Sequence, residues 1–147
     1  MTDKWKEITV TWNGELSFTG ENSAGGIVQM DSPTSTLATG PMELLLLALA
    51  GCTGMDIVSI LKKKRQMPVH FKVKVRGRRA QTYPMVYKEI EVEYLLWGEG
   101  LKAKDVEQAI QLSEEKYCSV GITLKAFADL RSSYRILAPG EPEEGNQ

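Results

Sequence analysis

Two cysteines carry most of the chemistry available to this chain. Cys52 stands in GPMELLLLALAGCTGMDIV and Cys118 in LSEEKYCSV, and the sequence holds 2 cysteines in all. A thiol reacts as the thiolate, so burial and neighbouring charge decide whether it is a nucleophile or an inert filler. The N-terminal stretch MTDKWKEITV has no signal-peptide core, so a reducing cytoplasmic setting is expected. Paired cysteines there are more often catalytic or redox-sensing than structural. The opposing reading makes Cys52 a small buried hydrophobe with a raised pKa and Cys118 a helix-end residue packed beneath Tyr117. Asp56 follows Cys52 by one helical turn. A carboxylate there raises a thiol pKa by like-charge repulsion, so Asp56 reads as a structural hydrogen-bonding group. Two cysteines and the single histidine, His70, are too few for a metal unless carboxylates or a second subunit contribute. No bound metal or other cofactor is therefore expected.

The element that must position Cys52 reads as a helix over residues 40–65. Pro41 suits its first turn, where the missing N–H costs nothing. Gly40 is then the N-cap, and Glu43 the N3 residue whose carboxylate reaches back to free N–H groups. Leu44 to Ala50 is hydrophobic without interruption, and a helix apolar all round is buried. Gly51 and Gly54 each cost roughly 1 kcal/mol relative to alanine in a helix interior. That cost is tolerable where two backbones approach closely, and Ala48, Gly51 and Met55 share one face. Lys62, Lys63, Lys64 and Arg65 end the helix beside its negative pole. The uninterrupted apolar run is about a dozen residues, short of the ~20 that a bilayer requires, so no membrane is expected.

Around this helix the chain alternates as strands do. Residues 8–12, 15–19 and 27–30 read as a three-strand meander, turned at Asn13-Gly14 and Gly25-Gly26. Asp31 to Gly40 is a Ser/Thr/Pro/Gly loop. Residues 68–79 and 85–97 are two long strands, each with one apolar and one charged face, as in an antiparallel sheet with one wet side. Lys and Arg on the first can pair with Glu on the second. Residues 102–118 form a second, amphipathic helix ending at Cys118, with Gly121 as its stop. Residues 129–137 make a last strand. Residues 138–147 (APGEPEEGNQ) offer nothing to a core and are expected to be a disordered tail, leaving residues 1–137 as a single domain. With 18 Lys+Arg against 19 Asp+Glu, no nucleic-acid partner is indicated.

The order of these elements, with GPMELLLLALAGCTGMDIV around Cys52 and LSEEKYCSV around Cys118, resembles the osmotically inducible protein C and organic hydroperoxide resistance (OsmC/Ohr) family. The likeness runs from about Val10 to Ile136. It implies an α+β fold built as an intertwined homodimer, with a buried central helix and antiparallel strands wrapping it. It also implies a thiol-dependent peroxidase of small organic hydroperoxides, in which Cys52 becomes a sulfenic acid and Cys118 resolves it as a disulfide. An external dithiol would then restore the pair.

The sequence departs from the peroxidase pattern twice. Those members place a glutamate directly after the helix-initiating proline; here that position is Met42, and the carboxylate comes one later, at Glu43. Glu43 is thus the third candidate catalytic residue. Nine residues of straight helix, however, put it on the opposite side from Cys52 and about 13 Å along the axis, which favours capping. The peroxidases also steady the thiolate with an arginine from the N-terminal strands, whereas residues 1–64 contain none. Arg76, Arg78, Arg79, Arg131, Arg135 or His70, from this chain or a partner, could serve instead. The chain therefore resembles a divergent branch, and a second function stands beside the first: a dimeric binding or stress-associated protein of the same fold without efficient peroxidase turnover.

Overall fold

The computed structural model describes residues 4–32, 34 and 38–144, so parts of the expected loop at 31–40 and tail at 138–147 lie outside the described residues. The chain gathers into two compact units, residues 1–45 and 46–147, where the sequence reading has one domain over residues 1–137.

The first unit is the expected meander. Strands β1 (Ile8–Gly14), β2 (Ser17–Asn22) and β3 (Ile27–Met30) pair antiparallel in that order. The first turn falls at Glu15-Leu16 and not at the expected Asn13-Gly14, which ends β1. The chain enters it through left-handed backbone at Gly14 (φ 110), which glycine adopts without steric cost, and at Glu15 (φ 48). At the second turn the Asn22 side chain accepts the N–H groups of Ala24 and Gly26 at 3.0 and 2.8 Å.

Helix α1 (Pro41–Lys63) begins in this unit and runs into the next. Its start follows the sequence logic: the Leu44 N–H donates to the Gly40 carbonyl at 3.1 Å, and the Gly40 N–H donates to Glu43 Oε1 at 3.2 Å. Its end is sharp because Arg65 turns left-handed (φ 57) and the Gln66 N–H returns to the Leu61 carbonyl at 2.9 Å.

In the second unit, strands β4 (His70–Arg79), β5 (Tyr87–Trp97) and β6 (Asp129–Leu137) form a sheet with β5 in the middle. β4 and β5 are antiparallel, and their register sets Arg76 opposite Glu91 and Arg78 opposite Glu89, both ion-paired. β6 lies parallel to β5, which departs from a purely antiparallel sheet. A parallel neighbour needs a long crossover, supplied by α2 (Ala103–Leu112), a π-helical turn (Ser113–Tyr117) and α3 (Ser119–Lys125). The expected single helix over residues 102–118 is thus divided. Gly121, expected as its stop, is a buried residue inside α3.

The core draws Leu49, Ile57 and Leu61 from α1, Ile90, Val92, Tyr94 and Leu96 from β5, and Val106, Ala109 and Ile110 from α2. The other face of β5 carries Glu89, Glu91 and Glu93, then switches: Leu95 and Trp97 are buried in a second cluster with Leu137. That switch gives the tail something to cover. The Trp97 indole N–H donates to the Glu141 carbonyl at 2.7 Å, and Glu143 bridges Lys72 and Lys74 at 2.9 and 2.8 Å. The segment 138–144 is therefore held against the sheet, a correction to the expectation of disorder made for it.

α1 also corrects the sequence reading. Its buried residues, Leu49, Thr53, Ile57 and Leu61, form one stripe, while Leu47 and Met55 are 56% and 76% exposed. A helix apolar all round is here covered on one side only. Over its full length α1 is also long and apolar enough to cross a membrane, so the shortness of the apolar run is not what argues against a span. The sealed Leu49–Leu61 stripe marks a core helix.

Candidate functional site

Cys52 and Asp56 sit one turn apart on α1, so both project from the same side of the helix. Cys118 comes from the crossover between β5 and β6, just after the π-helical turn. It is the N-cap of α3, and its backbone N–H closes the π-helical turn on the Ser113 carbonyl at 2.7 Å. The Cys52 sulfur, the Cys118 sulfur and an Asp56 carboxylate oxygen all lie within 4.8 Å of one another. Cys52 and Asp56 are half-buried and Cys118 is fully buried. The fold thus brings together the two cysteines found in the sequence.

The electrostatics of Cys118 follow from that setting. Burial, then the hydrogen bond and charge of Cys52 and the charge of Asp56, push its thiol up to about 11. The Gly121 N–H, donating to the Cys118 sulfur at 3.3 Å, acts the other way. A larger residue would crowd this contact: a Cβ at Gly121 would stand 3.3 Å from the Cys118 sulfur and 3.4 Å from Leu49. Asp56 accepts the Ser113 hydroxyl at 2.9 Å.

Further polar groups at the site escaped the sequence reading. The Tyr94 hydroxyl donates to Glu114 Oε1 at 3.1 Å. Burial and the Glu114 charge push its pKa well above the ordinary range, so it remains a donor at neutral pH. Thr53, buried on α1, donates to the Leu49 carbonyl at 3.1 Å. Ser113 and Glu114 both come from the π-helical turn, and no local sequence signal announces the extra residue that such a turn accommodates. A cavity of about 360 Å³ reaches Asp56 and is also lined by Ser59, Ile60, Lys63, Leu112 and Tyr117.

Glu43 lies in the first turn of α1, where its carboxylate caps the Gly40 N–H. The cations named from the sequence have other partners. Arg76 pairs with Glu91, Arg78 with Glu89 at 2.6 Å, Arg131 with Asp129 at 2.8 Å and Arg135 with Glu93 at 3.7 Å. Arg79 donates to the Met85 carbonyl at 2.7 Å, and His70 packs against Trp97 with ring centroids 4.8 Å apart.

An α+β protein in which a core helix and a crossover deliver two cysteines to one carboxylate is the class that fold and site define. Residues 33–132 match the OsmC-like protein family, and the chain belongs to it. It is 37% identical over 132 residues to protein YhfA of Escherichia coli strain K12, covering 90% of this chain and 98% of YhfA. The structure resembles a hypothetical protein from Aquifex aeolicus VF5 with a TM-score of 0.83 at 35% identity, covering 92% of this chain and 98% of the other. It also resembles the organic hydroperoxide resistance protein OhrB of Bacillus subtilis, with a TM-score of 0.62, covering 90% of this chain and 98% of OhrB. At 14% identity that last likeness is one of fold.

Proposed function

We propose that this protein is a thiol-dependent peroxidase of small organic hydroperoxides, acting as a cytoplasmic homodimer and reduced by an external dithiol. The observation that carries the reading is the approach of the Cys52 and Cys118 sulfurs and the Asp56 carboxylate to within 4.8 Å of one another. Cys52 is the half-buried thiol and Cys118 the sealed one held up at about 11, so Cys52 is the first nucleophile. Its thiolate attacks the distal peroxide oxygen, the O–O bond breaks, and the alkoxide leaves as the alcohol after protonation. Cys52 is left as a sulfenic acid. Cys118 then attacks that sulfur, and a disulfide forms with loss of water. A dithiol returns both thiols by exchange and is itself oxidised. Glu43 contributes by holding the start of α1, a positioning role. The fold shared with organic hydroperoxide resistance proteins supports this reading.

One observation favours a second reading, a binding or stress-associated protein of this fold without efficient turnover. Each of Arg76, Arg78, Arg79, Arg131, Arg135 and His70 is engaged with another group. Without a cation beside it, a thiol lacks the charge that draws it toward the thiolate that attacks a peroxide.

One experiment separates the two. Reduced protein is given one equivalent of an organic hydroperoxide, and thiols and mass are followed. The peroxidase loses two thiols and two hydrogens. Cys118→Ser stops at a sulfenic acid trapped by a dimedone-type reagent, and Cys52→Ser reacts no faster than a free small-molecule thiol. Wild-type Cys52 reacting no faster than such a thiol from pH 7 to 9 would replace the peroxidase reading with the binding protein.

A further inference from the structure

We propose that Cys52, Asp56 and Cys118 also form a binding site for a thiophilic divalent cation of the Zn²⁺ class, held by two thiolates and one carboxylate. The sequence argument against a metal was a shortage of ligands, and the fold removes it by adding Asp56 to the two sulfurs. Zinc bonds of about 2.3 Å to sulfur and 2.0 Å to oxygen imply tetrahedral edges of roughly 3.3–3.8 Å. The three donor atoms already stand within 4.8 Å of one another, so closing on a cation takes movements of about an ångström or less.

The surroundings are those of a ligand set held in place by outer hydrogen bonds. The Gly121 N–H donates to the Cys118 sulfur at 3.3 Å, and Ser113 Oγ donates to Asp56 Oδ2 at 2.9 Å. Two ligands share one face of α1 and the third caps α3, so rigid elements fix all three. The charges also argue for a cation. Ionised, the three groups repel one another, and a divalent ion at their centre turns that repulsion into attraction; the thiol protons leave to solvent as the bonds form. Two sulfur donors select a thiophilic ion over Mg²⁺ or Ca²⁺. The cavity of about 360 Å³ opens onto the Asp56 ligand, and three protein donors leave a fourth tetrahedral position for water.

The inference uses the thiols of the proposed peroxidase but does not depend on turnover. Peroxide-dependent thiol loss, measured in the same preparation with a chelator present, reports on that reading separately. The test for the metal is titration of the full, anaerobically reduced chain with Co²⁺ alone, in a non-coordinating phosphine reductant. The expected result is one ion per chain, with a near-ultraviolet thiolate-to-cobalt charge-transfer band and intense tetrahedral d–d bands that Zn²⁺ abolishes by displacement. Cys52→Ser, at a half-buried position, should lose most of the charge-transfer intensity, and Cys118→Ser likewise wherever it folds by circular dichroism. Ser113→Ala should bind about 10- to 100-fold more weakly with the band retained. Cobalt absorbing only weakly with no thiolate band, or an unchanged spectrum in Cys52→Ser, would overturn the proposal.

Discussion

At the scale of single residues, the site depends on how closely backbone is allowed to approach the Cys118 sulfur. Burial keeps that sulfur protonated, while the Gly121 N–H offers the one stabilising hydrogen bond that acts the other way. A methyl group at Gly121 would be crowded, with the sulfur and Leu49 at 3.3 and 3.4 Å from the Cβ position, so its buried neighbours must give by a few tenths of an ångström. Gly121→Ala should therefore cost stability, by about 1–3 kcal/mol as for other overpacked cores. Helix propensity alone predicts the opposite sign, a gain of up to about 1 kcal/mol. Denaturant melts decide between them. The same variant should form the Cys52–Cys118 disulfide more slowly under a fixed oxidant, because the thiol must shift to make room.

Among the elements, the C-terminal segment departs most from what its composition suggests. It docks because β5 changes character: after three glutamates, its exposed-side residues become Leu95 and Trp97. Deleting residues 141–147 removes the acceptor of the Trp97 indole N–H and the partner of two lysines. The melting temperature should fall by a few degrees, the size expected for about 1 kcal/mol in a domain of this length. The electrostatic part has its own signature. Hydrogen bonds from Lys74 and then Lys72 hold the Glu143 carboxyl down at about 2, so the folded chain binds this proton more weakly than the unfolded one. The contribution is present above the unfolded value of about 4.3 and is lost as pH falls through about 2. The wild type should accordingly out-melt Glu143→Gln above about pH 5, and the gap should close toward pH 2. Because the pair is exposed, added salt should shrink the gap. A pH-independent gap would mean that Glu143 acts through packing instead.

For the whole molecule, the open side of α1 is the feature that the isolated chain leaves unexplained. Ala48, Gly51, Met55 and Ser59 recur at helical spacing and are all exposed, and a Cβ on Gly51 would meet nothing within 4 Å. A Cβ on Gly54, by contrast, would stand 3.6 and 3.9 Å from the Val73 and Phe71 side chains of β4. A glycine facing open space weakens a helix by about 1 kcal/mol with no return inside one chain, which is why the proposed homodimer puts a second copy on this face. Light scattering at micromolar concentration should give twice the 16.4 kDa of one chain. Met55→Lys, harmless on a solvated helix face, should shift that mass toward the monomer and lower the melting temperature in a concentration-dependent way. A folded monomer in the wild type would refute the assembly.

What the sequence determined by itself was everything written in local pattern. The strands alternate, Pro41 and Glu43 open α1, and the Lys/Arg face of β4 meets the Glu face of β5 as alternation implies. The two cysteine motifs were legible for the same reason, being runs of residue types along one chain. Only the tertiary structure decided the rest. The parallel pairing of β6, the π-helical turn that aims Ser113 and Glu114, the recruitment of Asp56 beside both sulfurs and the docking of the tail on Trp97 all join residues distant in sequence. Periodicity specifies which face of an element is apolar. Which distant group will occupy that face is settled only when burial, unpaired donors and like charges are satisfied together across the fold.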